Sequence, residues 1–110
     1  MVTRTPDDIL REINLHRVEL SRGSAALYEA ELKAERATDR AKLVENAAFM
    51  NASGSIPERQ AVAHAAAVDE RDVAYVARAE FNRVRSKIRS LEAALVSLQS
   101  ELRWSREAGA

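Results

Sequence analysis

The side chains in this chain best suited to bind a charged ligand are a run of cations. Arg83, Arg85, Lys87 and Arg89 lie close together, no acidic residue falls between Phe81 and Ser90, and Arg78, Arg103 and Arg106 extend the series. At helical spacing Arg78, Arg85 and Arg89 share a face, while Lys87 stands to the side. Such a stripe neutralises phosphates without reading base edges, which makes a nucleic-acid backbone the ligand class it suits. A competing reading makes the same cations the solvated flanks of a helix pair, ion-paired with Asp8, Glu12 or Glu19. Strand binding often adds aromatic platforms, and only Tyr75, Phe81 and Trp104 are near. Phe81 belongs to an apolar repeat, which leaves Trp104 as the residue that could stack on a base.

Other reactive types are sparse or badly placed. His16 and His64 are the only histidines and there is no cysteine, so neither a thiolate site nor a shared metal site is expected. Glu29, Glu31 and Glu35 with Lys33, and Asp69, Glu70 and Asp72 with Arg71, read as the mixed charge of exposed helix faces. The chain carries no phosphate-binding glycine loop and no nucleophile elbow. A non-enzymatic protein without cofactors or metal is the expectation.

The composition points to helices. The chain has 110 residues with few aromatics, 3 glycines and 2 prolines, a profile of long helices and coiled coils rather than sheets. Its 17 basic and 17 acidic residues cancel, so any attraction to nucleic acid must come from a local patch. The start, Met1 to Asp8, has no apolar leader core and no stretch is long enough to span a bilayer. A soluble, cytoplasmic protein with no membrane partner is expected.

Two apolar seams position the cations. Phe81, Val84, Ile88, Leu91, Leu95, Leu98 and Leu102 recur at alternating steps of three and four, the spacing that keeps one stripe on a supercoiling helix. An earlier seam runs through Ile13, Leu20, Leu27, Ala34, Ala41 and Ala48, joined by His16, Gly23, Ala30, Ala37 and Val44. Its residues shrink toward the carboxyl end. Thr5, Pro6, Asp7 and Asp8 form a helix start, and Gly54, Ser55, Pro57 and Glu58 a stop followed at once by a new start. The expected fold is therefore all-α: a single long antiparallel two-helix hairpin, a coiled coil over 1–110. Helix one covers about 6–50, the turn about 51–55 and helix two about 56–106. Gly23 lies on the first seam, either where another backbone comes close or where the helix bends.

Folding about Gly54 pairs residues whose numbers sum to about 107, so large residues meet at the open end and alanines meet near the turn. Val62, Val68, Tyr75, Val76, Tyr28, Phe49, Leu98 and Trp104 do not all fit between two helices. Apolar residues left outside are candidates for a partner surface, and a homo-oligomer of hairpins packed side by side is expected. Neighbouring chains would meet around Leu98, Leu102 and Trp104.

The charged heptad helix, the turn followed by Ile56, Pro57, Glu58, Arg59, Gln60 and Ala61, the alanine-rich stretch into Asp72 to Tyr75, and the closing Ile88, Arg89, Ser90 and Leu91 together resemble small helical-hairpin proteins of tailed phages, some similar to UvsY-type recombination mediators. The resemblance implies an oligomer that binds single-stranded DNA and works with a recombinase or a single-strand-binding protein. Arg78, Arg83, Arg85, Lys87, Arg89 and Arg103 would then contact the strand, and the Phe81 to Leu102 seam with Trp104 would serve assembly. The alternative is a protein–protein interaction module, a scaffold, assembly chaperone or inhibitor, without nucleic-acid binding.

Overall fold

A computed structural model describes residues 4–108, and among these the chain is all-helical. The helices are α1 (Pro6–Asn51), α2 (Ile56–Ala66) and α3 (Val68–Ala108).

α1 begins where its sequence signals place the start. The Thr5 hydroxyl accepts from the Asp8 backbone N–H at 3.2 Å, and the Asp8 carboxylate accepts from the Thr5 N–H at 3.2 Å. This reciprocal pair satisfies two donors that the first turn leaves open. The hydrogen bonds from Thr5, with smaller help from Arg11 and Arg4, hold the Asp8 carboxyl below its ordinary value. A carboxylate depressed on folding contributes stability above its unfolded pKa and loses it as pH falls through the folded one. Asp8→Asn should therefore lower helical stability at neutral pH, and the difference from the parent should vanish in acid. Thermal melts followed by circular dichroism at pH 7 and near pH 2 check this.

α1 ends at a turn held from the other side. Gly54 has φ 107°, a conformation that side chains strain to adopt. Ser55 caps α2 by accepting from Glu58 N–H at 3.3 Å. The Arg59 guanidinium donates to the Phe49 carbonyl through Nε (3.2 Å) and Nη2 (3.1 Å), and lies 4.4 Å from the centre of the Phe49 ring. One α2 side chain thus adds to the hydrogen bonding of a carbonyl in the last turn of α1, which also accepts from the Ala52 N–H at 3.3 Å.

The second helix is interrupted, whereas the sequence leads to an unbroken one. Ala67 leaves helical geometry at φ −100°, ψ 13°, between α2 and α3. Burial supplies the physical reason. The inward positions Arg59, Ala63 and Ala67 step by four twice, whereas Ala74, Ala77, Phe81, Val84, Ile88, Leu91, Leu95, Leu98 and Leu102 alternate three and four. Two successive steps of four rotate an inward stripe by roughly 80° around a helix of 3.6 residues per turn. The interruption at Ala67 resets that phase, and the alanines around it carry no local breaker to announce it. Arg71 reaches back across the joint and donates to the His64 carbonyl at 2.6 Å.

The helices divide between two compact units. In the first, residues 4–27 and 84–108, Ile9, Ile13, Leu98 and Leu102 form a buried cluster with Leu95 packed against it. Arg4 bridges to Glu101 at 3.2 Å and also pairs with Glu12. Gly23 sits in unbroken helix, and a Cβ there would meet the Ile88 side chain at 3.2 Å. Of the two readings of Gly23, close approach is the one realised, and the visitor is a side chain rather than a backbone. Within this unit α1 and α3 run antiparallel.

The second unit, residues 28–83, has a smaller-grained interior. Ala34, Ala41, Ala63, Ala67, Ala74, Ala77 and Phe81 are buried, with Ala34 and Ala67 fully so. Each buried alanine removes little apolar area from water, so the segments must come close for dispersion contacts to accumulate.

Candidate nucleic-acid interface

The candidate cations lie on α3 and fall in both units. Lys87 and Arg89, with Arg85, are exposed and belong to the first unit. Arg85 and Arg89 are one helical turn apart on the same face, and Lys87 is offset from them. Arg103 is exposed on the same unit, next to Trp104, which is 74% exposed.

Arg78 and Arg83 belong to the second unit. The Arg78 guanidinium carbon lies 5.9 Å from the centre of the Phe81 ring, near the outer limit for a cation–π contact. Arg83 is paired within its own helix: Nη2 donates to Glu80 Oε1 at 2.6 Å and Nε to Oε2 at 3.2 Å. That hydrogen bond, first of all, holds the Glu80 carboxyl below its usual range, aided by the charges of Arg83 and Lys33, and it raises the pKa of Arg83. The acid that pairs with Arg83 is thus on its own helix and is none of Asp8, Glu12 and Glu19, and the acid-free window begins at Phe81. Glu80 stands just outside that window, three residues before Arg83, where helical neighbours meet.

The apolar repeat divides by depth. Phe81, Leu98 and Leu102 are buried, Val84, Ile88, Leu91 and Leu95 half-buried, and Trp104 exposed. Leu98 and Leu102 were expected at a contact between chains. They are covered instead by Ile9 and Ile13 of the same chain, because the α1 seam starts one step earlier than Ile13. Among the other residues judged surplus, Tyr28, Val62, Val68, Tyr75 and Val76 are exposed, and Phe49 is half-buried beneath Arg59. Leu10, Leu15, Val18, Leu43, Met50, Ile56, Val73 and Val96 are exposed as well.

His16 is half-buried, and its Nδ1 donates to the Glu12 carbonyl at 2.8 Å. Among the described residues no group of three His, Cys, Asp or Glu side chains could hold a metal ion, and no helix is long and apolar enough to cross a membrane. Comparison of the chain with protein-family models, curated proteins and solved structures gives no match.

Proposed function

We propose that this protein is a non-enzymatic, self-associating helical hairpin that binds single-stranded DNA through its phosphates as a recombination or replication accessory in the cytoplasm, resembling the UvsY-type mediators. In this reading α1 is one arm and α2 with α3 the other. The observation that carries it is the exposed Arg85, Lys87 and Arg89 cluster. Glu80, the acid on its amino-terminal side, is already engaged by Arg83. Three cations per chain make a weak site, and self-association would join several such sites on one strand. A recombinase or a single-strand-binding protein would be its working partner.

The reading is tested by anisotropy of a labelled oligothymidylate with an equal-length duplex as competitor. Binding to the single strand that the duplex displaces only at large excess supports it; no binding, or equal displacement, rejects it. The Glu80–Arg83 pair gives a further expectation. Glu80→Gln removes the anion and releases Arg83, so the variant should bind the same oligonucleotide about two- to fivefold more tightly at low salt.

A second reading rests on the exposed apolar side chains, which include Leu15 and Val18 on α1 and Val96 and Trp104 on α3 of the first unit. A protein–protein interaction module would use such residues to dock on another protein. Full activity after the basic cluster has been reversed would favour it.

A further inference from the structure

The second unit carries a groove whose two banks have opposite charge. Its floor is built from small side chains, Ala37 of α1 and Ala77 of α3. On the α1 side stand Lys33 and Arg40; on the α3 side stand Asp69, Glu70, Asp72 and Glu80. Val73 and Val76 line the α3 bank and are 59% and 71% exposed. An alanine floor lets another helix come close, and the two valines are the apolar ridge such a helix would cover.

We infer that this groove is the face through which two copies of the chain pair, the α1 bank of each lying over the α3 bank of the other. Charge selects both the occupant and its orientation. A twofold axis running along the groove sets Lys33 and Arg40 of one copy over the acidic bank of its mate, and the same contact recurs on the other side, as an isologous interface requires. An axis running across the groove would set basic on basic and acidic on acidic, and like charges in apposition disfavour that arrangement. The favoured axis places every helix beside antiparallel neighbours, the arrangement of an up-down-up-down bundle. Each copy then buries the Val73 and Val76 ridge of the other. The inference rests on the proposal that the chain self-associates, and it adds which face does so.

The experiment uses two charge variants of the whole chain and light scattering over a range of concentrations, with helicity followed by circular dichroism. Lys33→Glu with Arg40→Glu makes both banks acidic; Asp69→Lys, Glu70→Lys and Asp72→Lys together make both banks net basic, with Glu80 left as an acid on the α3 side. Each variant alone should remain helical and self-associate about tenfold or more weakly than the parent, and an equimolar mixture should recover the parental mass as a heterodimer. Variants that keep the parental mass alone, or that lose it and do not recover it on mixing, overturn the interface while leaving self-association standing. A parent that stays monomeric at every concentration overturns self-association itself. Should a variant lose its helicity, Val76→Glu in the parent replaces it, with loss of mass expected and an unchanged mass contradicting the interface.

Discussion

Leu98→Asp is expected to open the first unit and spare the second. Leu98 is 6% exposed and packs with Ile9, Ile13 and Leu102. An aspartate there has no cation among these neighbours, so the variant buries an uncompensated charge or breaks the cluster. The cost is roughly 3–5 kcal/mol, a large share of what a chain of this size holds in reserve. The second unit has its own buried alanines, Phe81 and the Arg59 lock on the turn. Amide exchange should therefore accelerate in residues 6–27 and 84–108 and stay slow near Ala34 and Ala74. Uniform loss of protection would mean that the two units open together.

The second large effect concerns binding. Arg85→Glu combined with Arg89→Glu replaces two exposed cations on one helix face with two anions. Both residues are exposed and neither belongs to the buried cluster of the first unit, so helicity and mass in solution should match the parent. Each phosphate contact on a single strand contributes about 0.7 to the slope of log affinity against log salt. Losing two should flatten the slope by about 1.4 and reduce affinity at least about tenfold at low salt. Oligonucleotide anisotropy at several salt concentrations, beside light scattering on the same samples, separates loss of binding from loss of assembly.

Much of the helical arrangement could be read from residue spacing. Alternating steps of three and four select the inward positions of α1 and of α3 after Ala67, and Thr5, Pro6, Gly54 and Ser55 mark ends that the structure satisfies with hydrogen bonds or a positive φ. The joint at Ala67 could not be read that way. It answers a change of packing phase among alanines, and alanine is the residue least able to signal a helix end locally. Ile9 was missed because one apolar residue a step before a repeat looks incidental until the helix start is fixed at Pro6.

The candidate site was legible as a cluster and not as a set of available charges. The sequence gathers the cations, but it does not show their pairings a turn away, such as that of Arg83 with Glu80. The groove charges were also visible as Lys33, Asp69 and Asp72, yet they read as mixed helix surface. Only the placement of Ala37 and Arg40 against Asp69, Glu70 and Val73 shows that the signs are sorted by bank.

Binding to phosphate is the central functional claim, and its most direct measurement is the salt dependence of the parent chain's affinity for a labelled oligothymidylate. With Arg85, Lys87 and Arg89 on phosphates, log affinity should fall linearly with log salt with a slope of about −2 per chain, steeper if assembled chains share the strand. No measurable affinity at low salt, or an affinity that salt leaves unchanged, would contradict the account.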